Sequence, residues 1–404
     1  MHVIAPARYK PKSPRRRLRS YLIAPLCILV GLAAINVLRP VPTPVATLTL
    51  VAPVASTAPN ITWPDGGQSA IAAEGYGLLG TSGTSQPLAT ASIAKVITAL
   101  CVLQKLPLAV GATGPTYTVS ATDVARYVDQ SAQGGSLLPV EQGEKLNEYQ
   151  ALEALMLPSA NNIADSLVVW VFGSQSNYAT YATDYLQRHG LNSTHIGVDA
   201  SGFNPSTTST ASDLTSLGLL ALQQPALMEI AGKSETTLPV AGTVTNYDTL
   251  LGKNGITGLK TGNSDANPGA FLFTATTVVG GQTIPLTGSV MDAADLSSAL
   301  AESSQLARSV RAGFEPVVVA SANQSVGNLR SAWGARVAIT AASNLQLVRW
   351  KGTPLSVKRQ LNPALRSGVI GELKVSAGQP QASVKLQLAE PLAGPSFWWR
   401  LTRH

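Results

Sequence analysis

A single lysine inside an apolar helical run constrains this chain more than any other feature. From Ser92 the sequence reads Ser-Ile-Ala-Lys-Val-Ile-Thr-Ala-Leu-Cys-Val-Leu-Gln, and Pro107 closes the run. At 3.6 residues per turn this run is a helix with Ser92 and Lys95 on one face, one turn apart. An exposed lysine is unexpected in so apolar a helix. Lys95 is also the only lysine in the chain with a serine three residues before it. A serine hydroxyl is a poor nucleophile until a base takes its proton, and a desolvated lysine amine can be that base. A helix start adds unpaired backbone N–H groups that favour developing negative charge. The plainer alternative is an N-capping serine followed by a surface lysine.

The net charge of +7 resembles a nucleic-acid signal, but its distribution excludes that reading. Residues 1–20 hold seven basic side chains and no acid; without them 22 Lys and Arg face 22 Asp and Glu. This tail precedes an uncharged stretch from Tyr21 to Leu38, close to the ~20 residues that span a bilayer. Basic residues before a span stay in the cytoplasm, so the rest of the chain is expected on the outer side of the membrane, held by one pass. The stretch is longer than a usual secretory signal, and Asn36 and Arg39 spoil a cleavage site directly after it. An uncleaved anchor is therefore expected; cleavage around Ala52-Pro-Val-Ala-Ser56 is the alternative. Cys27 falls in the span and Cys101 in the apolar helix, so no disulfide framework is indicated.

Texture divides the chain into a basic tail (1–20), an anchor (21–38), a Pro/Thr-rich extended linker (39–60), a catalytic body (61–313) and a β-rich module (314–404). In the body, Gln68 onward and Tyr76 onward read as a hairpin joined around Glu74-Gly75. Helices are expected over Leu146–Leu157, Ile163–Phe172, Tyr178–His189, Thr210–Leu222 and Ala293–Gly313. Pro268–Val279 and Gln282–Met291 read as paired core strands. After Phe314, short runs near Val317, Ala335, Leu345, Gly371 and Ser383 alternate apolar with polar, the pattern of a small sandwich. The terminal Phe397-Trp-Trp-Arg is expected as an edge strand, with a membrane-interface cluster as the alternative.

Three short motifs stand in order: Ser92-x-x-Lys95, Ser159-x-Asn161 and Lys260-Thr-Gly262. This triple is shared by penicillin-binding proteins and class A β-lactamases. Each motif alone is weak, and Ser321-Ala-Asn323 repeats the second in the β module. Their order and setting carry the weight: a serine at a helix start, S-x-N in a turn between helices, K-T-G on a strand entering a hairpin. The sequence resembles the D-alanyl-D-alanine carboxypeptidase family, the low-molecular-mass penicillin-binding proteins, over roughly residues 63–310. Further blocks of the resemblance are Gly143-Glu-Lys-Leu, His189-Gly-Leu-Asn-Ser-Thr-His, Asp199-Ala-Ser-Gly and Gly255-Ile-Thr-Gly-Leu-Lys-Thr-Gly-Asn. Two departures are Asn162, where the family usually has aspartate, and Ile93-Ala94 inside the first motif.

The resemblance implies an α+β fold, an antiparallel sheet flanked by helices, with a C-terminal all-β domain. It implies a serine peptidase that trims the terminal D-alanine of peptidoglycan stem peptides, is acylated by β-lactams and needs no metal or other cofactor. Ser92 would be the nucleophile and Lys95 its base, with repulsion from Lys260 keeping Lys95 neutral. Ser159 would relay a proton, Asn161 orient the acyl chain, and Lys260, Thr261 and Gly262 hold the substrate carboxylate. Backbone N–H groups of Ser92 and Asn263 would form the oxyanion hole.

Other chemistries fit less well. A Ser-His-Asp hydrolase would need a histidine, and His189 and His195 both read as loop residues; four scattered histidines also show no metal spacing. A class A β-lactamase needs a deacylating glutamate in an E-x-x-L-N loop, yet no glutamate occurs between Asn161 and Met228. An endopeptidase acting on cross-links and a non-catalytic, membrane-tethered wall-binding protein complete the alternatives.

Overall fold

A computed structural model describes residues 14–49 and 56–403, with side chains from residue 23 onward. The basic tail before residue 14 and the small-residue stretch at 52–55 lie outside the described residues. Five strands form the central sheet in the order Ile256–Ser264, Asn267–Val279, Gln282–Ala293, Gln68–Ala73, Gly77–Ser82, and every pairing is antiparallel. The three long C-terminal strands follow one another through tight turns, so a meander supplies most of the sheet. The hairpin Gln68–Ser82 completes it, and Ile256–Ser264 is left at one edge.

Both sheet faces are covered. Phe271, Phe273, Ile71 and Val290 point to one face, where Ala299, Leu300 and Leu306 of the helix Leu296–Ser309 pack on them. The other face receives Leu214, Leu217 and Ala221 of the helix Ala211–Leu222. Beyond that helix lies an all-helical lobe built from Ala94–Lys105, Glu148–Met156, Asn161–Phe172 and Gln175–Arg188. Ala94–Lys105 is buried almost all round, which explains why its sequence lacks a polar face. The result is the mixed fold expected, with its antiparallel sheet between helices.

From Phe314 the chain supplies five strands of a six-stranded antiparallel sheet, packed with the pair Phe314–Ala320 and Leu345–Trp350 around a separate core. Two expectations are corrected there. Residues 45–48, read as part of an extended linker, are the strand Val45–Leu48, paired in antiparallel register with Gly327–Arg330 at the sheet edge. Phe397–Thr402, expected as an edge strand, is a short helix. Ser396 caps it by accepting from Trp399 N, and the Trp399 ring meets Trp333 edge-on at 5.8 Å.

That last helix grips the helix Pro14–Leu38. Arg403 donates to Asn36 O, Arg39 O and Pro40 O, and Arg400 donates to Val37 O, so two arginines satisfy carbonyls a helix C-terminus leaves open. Among the described residues, no helix is long and apolar enough to cross a membrane.

Phe273 has no exposed surface and lies under the helix Leu296–Ser309. Phe273→Ala should lower stability by about 3–5 kcal/mol, read as a shift of the urea unfolding curve for the catalytic body.

Candidate active site

The site assembles at the sheet edge, where strand Ile256–Ser264 faces the helical lobe. Ser92 lies in the 3-10 turn Ala91–Ile93 that runs into Ala94–Lys105, and it is half-exposed while its neighbours are buried. A Cβ on Gly262 would stand 3.3 Å from Ser92 N and from Thr90 O. A side chain there would crowd three atoms at once, so glycine suits the close approach of the K-T-G strand to the serine turn. Asn267 ties the following hairpin down, donating to Ala89 O at 2.8 Å and accepting from Asp292 N at 3.0 Å.

Lys95 has no exposed surface, and its Nζ meets three oxygens: Ser92 Oγ at 3.0 Å, Asn161 Oδ1 at 2.7 Å and Ser201 O at 2.8 Å. Two of these are carbonyl oxygens, which can only accept. A neutral amine has two hydrogens and one lone pair. Its hydrogens go to the carbonyls, and the lone pair is left facing the serine hydroxyl.

Electrostatics favour that neutral form. Burial is the largest cause holding the Lys95 amine well below its ordinary value, and the Lys260 ammonium lowers it further, while Asp199 and Asp165 oppose. Lys260, 2% exposed, is itself pushed down to about 7 by burial, against the pull of Asp248. Thus desolvation does more than the repulsion between the two lysines.

Ser159 occupies the turn between helices Glu148–Met156 and Asn161–Phe172, with φ +62°. For a residue with a Cβ that conformation costs on the order of 1–3 kcal/mol. Its Oγ is buried and has no hydrogen-bond partner among the described residues. A strained backbone presenting an unpartnered buried hydroxyl does not serve stability. Thr261 is buried beside Lys260, whereas Asn263 emerges at the exposed end of the strand.

Motif reading gave no role to several contributors. Ser201 offers Lys95 a main-chain carbonyl, and any residue type can do that. Asp199 shapes its loop by accepting from Ser201 N, Gly202 N and Asn204 N, the one signal being the Asp199-Ala-Ser-Gly block. Asp165, held by Gln130, Gln175 and Ala200 N, lies beneath the site. Asp248 is buried near Lys260 with its carboxyl pushed up to about 6, mainly by burial.

A half-exposed serine facing a neutralised amine, with a second buried amine on the edge of an antiparallel sheet, defines a serine–lysine hydrolase of the penicillin-binding class. The chain belongs to the D-alanyl-D-alanine carboxypeptidase family, whose profile matches residues 71–295. It is a serine-type carboxypeptidase acting on peptidoglycan. Its fold is similar to that of penicillin-binding protein 5 from Haemophilus influenzae, at 19% identity and a TM-score of 0.57, covering 85% of this chain and 100% of that one. Penicillin-binding protein 6B from Escherichia coli is similar at 20% identity and TM-score 0.59, covering 84% and 99%. The D-alanyl-D-alanine carboxypeptidase DacD from Francisella tularensis is similar at 16% identity and TM-score 0.57, covering 85% and 97%. Comparison with curated protein sequences gives no match.

Lys260 is charged when unfolded up to about pH 10.5 but titrates near 7 when folded. Stability should therefore rise between those values, and the full penalty should apply below pH 7. Lys260→Met should stabilise the protein by on the order of a few kcal/mol at pH 6, with the gain vanishing toward pH 10.5. Thermal unfolding across that range checks the sign.

Proposed function

We propose that Ser92, Lys95, Ser159, Asn161 and Lys260 divide the carboxypeptidase reaction among them as follows. The terminal carboxylate of the stem peptide meets the Lys260 ammonium and the Thr261 hydroxyl, with Gly262 keeping the strand close. Lys95 Nζ takes the Ser92 proton through its lone pair, and Ser92 Oγ attacks the carbonyl carbon of the penultimate D-alanine. Negative charge on the carbonyl oxygen is met by the N–H groups of Ser92 and Asn263. The proton then passes from Lys95 by way of Ser159 Oγ to the leaving D-alanine nitrogen, and the C–N bond breaks. Water, deprotonated by Lys95, releases the acyl chain as a carboxylate and restores the serine.

One observation supports this assignment above the others: two carbonyls accept from the Lys95 amine while burial and Lys260 hold that amine well below its ordinary value, so that its neutral form aims its lone pair at Ser92. The unpartnered Ser159 hydroxyl supports the relay. A wall-binding role without catalysis would gain nothing from a desolvated lysine.

β-Lactams should be covalent inhibitors rather than substrates. The two glutamates nearest in sequence to the place a deacylating base would occupy are both elsewhere engaged or distant. Glu229 accepts from Tyr149 Oη at 2.8 Å, and Glu235 is exposed on the hairpin Glu235–Thr245. Incubation with a fluorescent penicillin should label the protein on Ser92, and Ser92→Ala should abolish both the label and D-alanine release from an acyl-D-Ala-D-Ala peptide. Label retained in Ser92→Ala would overturn the assignment.

The reading extends to attachment at the cytoplasmic membrane through residues 21–38, with the catalytic body on the outer side. Its support is the uncharged run itself and the exposure of Ile23, Leu26, Ile28, Leu29 and Leu32 on the helix Pro14–Leu38. The full chain should enter the detergent phase on Triton X-114 separation, and Leu29→Arg with Leu32→Arg should return it to the aqueous phase. Aqueous partition of the unaltered chain would refute the attachment.

A further inference from the structure

Between the helix Ala121–Ser131 and the strand Lys145–Asn147 the chain crosses the helical lobe without regular structure. Such a segment must find partners for its buried main-chain groups outside any ladder. Asn162 provides them. Its Oδ1 accepts from Leu138 N at 2.9 Å and its Nδ2 donates to Leu138 O at 2.9 Å, with the side chain buried. One carboxamide thereby imitates the pairing of a neighbouring strand. Asn161 N adds a bond to Ser136 O at 2.8 Å, and Leu138 itself packs with Ala160 and Ile163.

Three residues before Leu138 the same segment lies against Asn161. A Cβ on Gly135 would collide with Asn161 Nδ2 and stand 3.1 Å from the Phe203 ring. Gly135, Asn161, Ser201 and Phe203 line one cavity of about 320 Å3. Asn161 and Ser201, whose oxygens hold Lys95, are both in that lining, so the cavity lies beside the partners of the base.

We propose that Asn162 is a positioning residue that fixes the roof of the substrate cleft, by holding residues 132–140 down over Asn161. The inference rests on the reading that Asn161 orients the acyl chain of the substrate. With the segment placed as it is in this chain, the carboxamide that stands where the family usually has aspartate donates and accepts at once; a carboxylate could still accept from Leu138 N but would set oxygen against Leu138 O in a buried place. Loosening the segment leaves the Ser92–Lys95 contact intact, so substrate binding suffers and the chemical step does not.

The test compares the full-length enzyme with Asn162→Asp and, from the loop side, Gly135→Ala, which must displace either the loop or Asn161. Gly135 lies in a half-exposed loop, so this second variant does not depend on the buried core for folding. Amide hydrogen exchange at Ser136, Leu137, Leu138 and Val140 should speed up at least tenfold in Asn162→Asp. KM for an acyl-D-Ala-D-Ala peptide should rise about tenfold with kcat within threefold, and labelling by penicillin should still require Ser92. In Gly135→Ala, KM should rise with little change in the melting midpoint. A purely structural role would lower the melting temperature and leave the KM of the folded enzyme unchanged, and that outcome overturns the proposal. Unchanged KM in Gly135→Ala overturns it equally, even where Asn162→Asp fails to fold. Label persisting in Ser92→Ala would overturn this proposal together with the site assignment beneath it.

Discussion

The contact on which the site depends is the one between a buried amine and two carbonyl oxygens. Lys95 reaches Asn161 Oδ1 from the start of one helix and Ser201 O from a loop, and both contacts must hold for its lone pair to face Ser92. Three separate stretches of chain are thus brought to one nitrogen. The sheet serves this arrangement by offering an edge strand whose Gly262 fits against the serine turn, and the helical lobe serves it by excluding water from the amine. Desolvation then does most of the electrostatic work, with the second lysine adding to it.

The same arrangement opposes stability. Two lysines rank among the largest fully buried side chains, and Ser159 holds a left-handed backbone conformation with no partner for its hydroxyl. None of these features helps the chain fold. The surrounding core supplies what they cost: a helix without a polar face beneath Lys95, and a sheet covered on both sides.

Much of this could be read in the residues. Long periodic runs gave the helices near 146–157, 163–172 and 210–222, and β-branched and aromatic runs gave the two central strands, since burial on one or both faces writes itself into sequence. The motif order pointed to Ser92, Lys95, Ser159, Asn161 and Lys260, and folding brings Lys95 into contact with Ser92 and Asn161. What escaped was whatever depends on main chain or on distant partners. The helix Pro225–Ala231 and the hairpin Glu235–Thr245 are too short to show a period. Val45–Leu48 looks like linker because only its pairing with Gly327–Arg330 makes it a strand. Phe397–Thr402 has strand-like aromatics but is fixed as a helix by its serine cap and by Trp333. Ser201 acts through its carbonyl, which no residue type announces. Asn162 is visible as a departure from the family, yet its reason lies in Leu138, a residue without chemistry of its own.

The segment after the helix Pro14–Leu38 enters the β module as the strand Val45–Leu48, and Arg400 and Arg403, in and just after the closing helix Phe397–Thr402, bond carbonyls at the end of the helix Pro14–Leu38. The connection between them has little slack, because the main-chain carbonyls of Asn36 and Val37 are already bonded by Arg403 and Arg400 before the strand Val45–Leu48 joins the sheet. The consequence is a short connection: only a few residues separate the end of that helix from the sheet edge of the module, so whatever residues 14–38 are attached to, the β module is held close beside it.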